Sequence, residues 1–564
     1  MVGLKRIKEV FIEIFKEHPV SETCVMAAML SMAVECYADN LDVFSCIAGV
    51  LLAVAASALS IETFRLYKLS IGESYSFKEK KYLLPNIVLM IIGLILGTGT
   101  SVFLIYGYDL ERDAFRGNEL FCSCIGEWFY RITVVFVVAM CCASLYFFLK
   151  KSKLTFEKYT AKAFCGIMKT ELVFFVLFIG ITLIILAFSA LIYDVGDEAI
   201  FSMWFILLGF VQYPCVLTGL SKTDEEISKF GKIMLNYVLP GLLSVAFVII
   251  YVYIIKILVL WKFPSNQVFS ILTTLFGFGV FIWTMAYGVC DDNTKKIFRI
   301  MPLLYIPFIV LQIMCLYMRV ASYGLTVSRY AGIIIILFEI LYFGLYIFDI
   351  RTKKNVMPVV FAVVTALVCI SLVAPGVNAY SAVIASQKGK IECYLANPND
   401  NDKKVHAYEA YEVLYYSCGY KGEKYIDDAL DSDQIRKLEQ SYYDNGGNAG
   451  GIVFIEADRY IGSLEISGDY EKLYFIDDGY SDGKIDLNNF TVKAKGFSGT
   501  VDIEELVNKL TELEAKGADS NERNALLDDG FELKDGGKVY FSHIDIEMDA
   551  SEIVSISYSA YAMR

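Results

Sequence analysis

"NYVLPGLLSVAFVIIYVYIIKILVLWKFPSN", residues 236–266, decides the fold class of this chain. From Leu239 to Trp261 its only charged residue is Lys256. Such a run exceeds the roughly 20 apolar residues that a helix needs to cross hydrocarbon. Ten more apolar runs accompany it, and the eleven predicted spans lie near Val20–Tyr37, Val43–Leu59, Asn86–Gly107, Trp128–Leu149, Leu172–Tyr193, Ile200–Leu220, Leu235–Trp261, Ile271–Val289, Leu303–Met318, Gly332–Phe348 and Met357–Ala374. The first is the weakest, because Glu22 and Glu35 sit near its ends.

The composition agrees with a membrane protein. The 564 residues are 56% hydrophobic and 15% aromatic, too apolar for one soluble protein. Beyond about residue 390 the chain turns polar and rich in Asp and Glu. From Lys390 onward it holds 36 acidic and 18 basic residues, so that region carries −18 of a net charge of −13, and the part before it is basic by +5. An acidic soluble region argues against nucleic-acid binding, which needs a basic footprint. The start, "LKRIKEVFIEIFKEHP", is a charged amphipathic helix rather than a cleavable leader. The expected organisation is a polytopic all-α helix bundle over 1–380, followed by a soluble α+β region over 381–564, helical at 400–445 and sheet-rich at 451–564.

Lys and Arg alternate between connections. The N-terminal helix and "RLYKLSIGESYSFKEKK", "KKSKLTFEKYTAKAFCGIMK", "SKTDEEISKFGK", "DDNTKKIFR" and "RTKKN" each hold three or more Lys or Arg. "ADNLD", "DLERDAFRGNEL" and "DVGDEA" are neutral or acidic. The bias of Lys and Arg toward the cytoplasmic side then predicts a cytoplasmic N-terminus and an extracytoplasmic C-terminal region. A count of ten spans is the competing reading and would put the acidic region inside.

Three stretches resemble the bacterial multi-pass membrane family catalogued as domain of unknown function 4153. The first is the opening run, with Tyr251, Tyr253, Lys256 and Ile257. The second is "MRVASYGLTVSRY", with Arg319, Tyr323, Gly324, Thr326, Arg329 and Tyr330. The third is "GVNAYSAVIASQKGKIE", with Ser386 and Gln387. The resemblance is close over 230–390 and limited to overall pattern before residue 220. It implies an architecture and no activity.

By the predicted topology, Lys256, Lys262, Arg319 and Arg329 lie at the outer interface, where cations are disfavoured. With Tyr323 they form a candidate binding site for an anionic lipid headgroup or envelope polymer, since the Arg fork suits phosphate and carboxylate. The competing account is snorkelling, which only anchors helix ends. Glu339 falls near the middle of the tenth span. A carboxylate there is costly and must face protein or water, with Lys256 and Arg319 as candidate partners.

Other motifs carry less. "DDGYSDGKIDLNNF", residues 477–490, fits an EF-hand loop only in part, and a hairpin turn through "SDG" is the better account. Cys393 and Cys418 are either free thiols or a disulfide. The three histidines have no metal spacing, and neither a phosphate-binding loop nor a nucleophile elbow occurs. No catalytic residue, metal or cofactor is expected.

The soluble region reads as short helices, with Asp431 or Ser432 as an N-cap. Alternating strands follow, interrupted by the helix "DIEELVNKLTELEAKG". The function expected is non-enzymatic: an envelope protein whose outer domain senses or binds a partner protein, with the bundle in lipid. The alternatives are a transporter or lipid-handling protein with a polar site in the bundle and, third, a membrane-embedded transferase.

Overall fold

The computed structural model describes residues 2–37, 43–75, 79–105, 119–191, 196–223, 226–260, 267–291, 294–398, 401–431, 434–438, 452–458, 472–482, 485–494, 497–515, 520–527, 530–534, 536–549 and 552–563. The chain divides into two units: 1–387 with 413–426, and 388–412 with 427–564.

The first unit is helical. Among the described residues, nine helices are long and apolar enough to cross a membrane: Val43–Ser70, Lys80–Phe103, Ile125–Ser152, Phe156–Ser189, Glu198–Ser221, Lys229–Ile257, Val268–Val289, Lys295–Ala321 and Val327–Thr352. They correspond to the second through tenth expected spans. The last falls on a shorter apolar helix, Met357–Leu372, and the first on the 17-residue helix Pro19–Glu35, which is not among the helices long and apolar enough to cross a membrane. Seventeen residues reach about 26 Å, slightly under a ~30 Å hydrocarbon layer. The two carboxylates that weaken the first helix differ in surroundings. Glu22 is buried, and Glu35 accepts a hydrogen bond from Ser45.

Lipid tails are as apolar as Leu, so membrane helices associate through close packing, and small residues let them approach. "GLILG" at residues 93–97 does this. A Cβ on Gly97 would lie 2.9 Å from the Val50 Cα, and one on Gly93 would lie 3.0 Å from the Ala53 carbonyl oxygen. The facing stripe of the Val43–Ser70 helix is correspondingly buried and small: Ala48, Ala53, Ala56 and Ser57. The second half of the unit instead fills its centre with rings. Trp283, Tyr305, Phe308 and Tyr342 are almost wholly buried around Phe276, and the Trp283 indole N–H donates to the Tyr342 hydroxyl at 2.8 Å.

The second unit is α+β. Its sheet runs β1 (Ile452–Asp458), β6 (Lys538–Asp549), β7 (Glu552–Met563), β2 (Leu473–Asp482), all antiparallel. The two-residue β5 (Phe531–Glu532) adds to β6. A separate hairpin joins β3 (Phe490–Ala494) to β4 (Phe497–Val501). The helix Glu504–Ala515 buries Leu506, Val507 and Leu510 in the core this sheet forms. Along β6 the buried positions change parity, from Val539 and Phe541 to Ile544 and Ile546. The register shift between Phe541 and His543 is the cause, since one extra residue moves the next side chains to the other face.

One expectation is corrected here, and one left open is decided. The turn through "SDG" does not close a hairpin: β2 pairs with β7, and β3 pairs with β4. The long apolar edge of β7 offers β2 a partner that the five-residue β3 cannot match. Cys393 and Cys418 are free thiols, and burial pushes the Cys418 thiol up to about 12. The stretch "YIGSLEIS", expected as a strand, lies outside the described residues, as does Ser432.

The helix contact at Gly97 is testable. Replacing Gly97 by Leu forces the Lys80–Thr100 helix off its neighbour and should destabilise the bundle by ~1–3 kcal/mol. The detergent-solubilised protein should then melt several degrees lower, whereas lipid-facing Ile95→Leu should leave the melt unchanged.

Candidate functional site

"MRVASYGLTVSRY" joins the helices Ile306–Tyr323 and Val327–Thr352. Gly324 ends the first with φ +72°, a conformation that side chains resist, so a glycine is needed at the turn. Thr326 starts the second: its hydroxyl accepts from the Arg329 N–H at 3.4 Å. Arg329 then folds back over the loop. Its guanidinium donates to the Gly324 carbonyl at 2.8 Å and covers the Tyr323 ring, 5.5 Å from the centroid.

The third family stretch locks the same loop from outside. The Leu325 N–H donates to the Ser386 hydroxyl at 2.9 Å, and the Gln387 amide donates to the Leu325 carbonyl at 2.7 Å. The Tyr330 hydroxyl donates to the Val377 carbonyl at 2.7 Å. Two motifs some 60 residues apart in sequence therefore form one hydrogen-bonded assembly. Gln387 is almost fully buried, so the pairing of the loop backbone is sheltered from water.

The residues singled out from the sequence are only partly brought together. Arg329 and Tyr323 stack. Arg319 is half-buried near the end of its helix, and Lys256 is exposed on the Leu239–Leu260 helix. Neither makes a hydrogen bond or ion pair with a described residue. Lys262 lies outside the described residues.

Glu339 is fully buried, and its partner is Gln312, not Lys256 or Arg319. The Gln312 amide donates to Glu339 Oε1 at 3.2 Å and to the Thr273 hydroxyl at 3.3 Å. Beside them the Tyr305 hydroxyl donates to the Leu272 carbonyl at 2.6 Å. An amide partner satisfies one carboxyl oxygen without drawing a second solvated charge into the core, which explains why the surface cations stay outside. Gln312 was readable from sequence as a lone polar residue in "IVLQIMCL".

A second buried polar cluster was not anticipated. Glu62 accepts from the Val20 N–H at 2.8 Å and from the Ser21 hydroxyl at 2.7 Å, capping the Pro19–Glu35 helix from a neighbouring span. His18, fully buried against Phe148, lies 3.7 Å from the same carboxylate. The Arg65 guanidinium donates to the Glu17 carbonyl at 2.6 Å. Glu62 and Arg65 also edge a groove of about 440 Å³ between helices, otherwise walled by apolar residues such as Val54, Ala58, Ile87 and Leu94. "SIETFR", with its two charges near a span end, was the available signal.

In the second unit, the stretch resembling a calcium loop lines a polar cleft of about 420 Å³ with Tyr480, Asp486 and Asn489, joined by Lys493 of β3. Asp486 accepts from the Asn489 backbone and side-chain N–H groups, which hold its carboxyl below the ordinary range. It caps a short turn (Leu487–Asn489) there. Among the described residues, no cluster of three His, Cys, Asp or Glu gathers to hold a metal.

Fold and site together define a multi-pass helical membrane protein with a small antiparallel-sheet region after the bundle. Residues 147–397, slightly under half of the chain, match the family model described as Domain of unknown function (DUF4153). That segment contains all three stretches on which the resemblance rests. Neither the curated proteins nor the solved structures compared with the chain yield a match.

Gln387→Leu would leave the buried Leu325 carbonyl without this donor and should cost ~1–3 kcal/mol. Ser386→Ala should cost less, because only one N–H is released at a half-buried site. Thermal melts of the two variants in one detergent check the order.

Proposed function

We propose that the protein is an envelope-membrane scaffold whose C-terminal α+β unit is an extracytoplasmic sensing or interaction module. The observation that carries this reading is the outward row on β2. Leu473, Phe475 and Tyr480 are 48%, 54% and 64% exposed, and Phe475 packs on Tyr561 of β7 with ring centroids 5.0 Å apart. An apolar, aromatic row left open to solvent on a sheet edge is the usual mark of a docking surface. The aromatic core of the family segment supports the same reading, since it is packed rather than lined for passage.

Charge supports the sidedness. Glu13 and Glu17 of the amphipathic N-terminal helix pair with Lys222 at 2.6 Å and Lys151 at 3.0 Å, from two of the basic connections. That grouping is what a cytoplasmic N-terminus with basic connections beside it requires. The C-terminal unit then lies across the membrane. On that side the unpaired Lys256 and Arg319 meet outer-leaflet phosphates, and the stapled Arg329 holds the loop.

A second reading, lipid handling, is favoured by the groove between helices. Its apolar walls fit an acyl chain, and Glu62 and Arg65 mark its polar end.

Two measurements test the main reading. An impermeant thiol reagent should label exposed Cys393 in intact cells, with Cys393→Ser as the control; labelling only after lysis would reverse the topology. Leu473→Ser/Phe475→Ser should abolish co-purification of a partner from detergent extracts while leaving the melt within ~1 kcal/mol of wild type. Retained co-purification would show that the β2 row is not the docking surface.

A further inference from the structure

The basic connections of the family segment do more than mark a side. Three of them meet around a cavity of about 390 Å³, within the range of small-ligand sites. Lys158 comes from the first turns of the Phe156–Leu191 helix. Lys295 and Arg299 come from the short helix Lys295–Ile300, and Lys353 from the turn after Val327–Thr352. Two carboxylates, Glu157 and Asp349, share the lining with these four cations.

The surrounding backbone is fixed for this arrangement. Gly288 lets the Gln267–Val289 helix lie directly on the Glu157 carbonyl, where a side chain would collide. Arg299 Nη2 donates to the Ile350 carbonyl at 2.8 Å, and the Tyr346 hydroxyl donates to the Arg299 carbonyl at 3.1 Å. Asp349 is committed to structure: its Oδ1 accepts from the Val356 N–H at 2.9 Å and shapes the turn that carries Lys353. Lys353 itself is held at φ +54°, in the left-handed region.

A positive-inside bias explains basic loops, and a cation after a helix C-terminus is favourable in itself. Neither accounts for cations from three separate connections lining one cavity. Lys158 and Lys353 make no hydrogen bond or ion pair with a described residue, so their ammonium groups are available to a ligand. We propose that this cavity binds a phosphate-bearing anion, either a lipid headgroup or a soluble phosphate ester. Lys158 and Lys353 supply the charge, and Lys295 and Arg299 flank it. The inference stands independently of the docking surface on β2.

The full-length protein in neutral detergent provides the test. Inorganic phosphate and short-chain phosphatidylglycerol are titrated separately by calorimetry. Binding of phosphate indicates a soluble ester, and binding of phosphatidylglycerol alone indicates a headgroup. Lys158→Gln/Lys353→Gln should weaken whichever binds by about ten-fold. Lys229→Gln/Lys232→Gln, an equal loss of charge outside the cavity, should change it less than two-fold. In the wild-type protein, the bound probe should also shield Lys158 and Lys353 from acetylation while Lys229 and Lys232 stay reactive, a readout that needs no variant to fold. Failure of both probes to bind, equal weakening by both double substitutions, or undiminished acetylation of Lys158 and Lys353 overturns the assignment.

Discussion

In hydrocarbon a backbone N–H or C=O without a partner costs several kcal/mol, and every helix leaves about four of each unpaired at its ends. The first unit is organised around that constraint. Side chains from neighbouring helices reach into the exposed ends. Glu62 takes the Val20 N–H, Glu127 takes the Tyr420 N–H at 2.7 Å, and Gln387 gives to the Leu325 carbonyl. Tyr159, Tyr251, Tyr305, Tyr330 and Tyr346 each donate their hydroxyl to a main-chain carbonyl of another segment. A tyrosine suits this task because its ring packs among apolar side chains while its tip supplies one directed donor. The abundance of tyrosine in the membrane half is therefore structural as much as interfacial.

The same constraint separates two kinds of arginine. Arg329, Arg299 and Arg65 all spend donors on backbone carbonyls of loops or helix ends, at 2.8, 2.8 and 2.6 Å. Arg131, almost buried, instead pairs with Glu127 and stacks 4.0 Å from the Tyr380 ring centroid. Glu127 in turn caps the helix that begins at Gly419, which ties the segment Val413–Ile426 to the bundle. Each of these charges is thus part of a closure, and its sequence position near a span end does not reveal which closure it makes.

That is also the boundary of what could be read beforehand. Apolar run length located nine of the spans, because it is a local property of the chain. Alternation located β1, β2, β6 and β7, and Asp431 was legible as a cap. It accepts from the Gln434 N–H at 2.7 Å while Gln434 returns a bond to the Asp431 N–H at 3.0 Å. The family motifs drew attention to the loop at Gly324. They did not reveal that Ser386 and Gln387 close it, because that contact spans about 60 residues and depends on the tilt of two helices. The Glu339–Gln312 pair was hidden for the same reason: each residue stood out alone, and nothing in the spacing joined them. The "SDG" turn misled because β2 found its ladder partner in β7, a strand about 70 residues later, which no local turn signal reveals.

The two ends of the Val327–Thr352 helix now differ in kind. About 39 Å separates them at 1.5 Å per residue. At Val327 the chain is closed on itself: Thr326, Arg329, Ser386 and Gln387 use their polar groups on nearby backbone. At Thr352 the corresponding polar groups surround open space, and Lys158 and Lys353 are not consumed in holding the fold. Between these ends the helix carries Glu339 and Tyr342 through a core of packed rings. If the cavity at Lys353 binds an anion as proposed, one helix carries both a stapled end and a ligand site, about 39 Å apart, with that core between them.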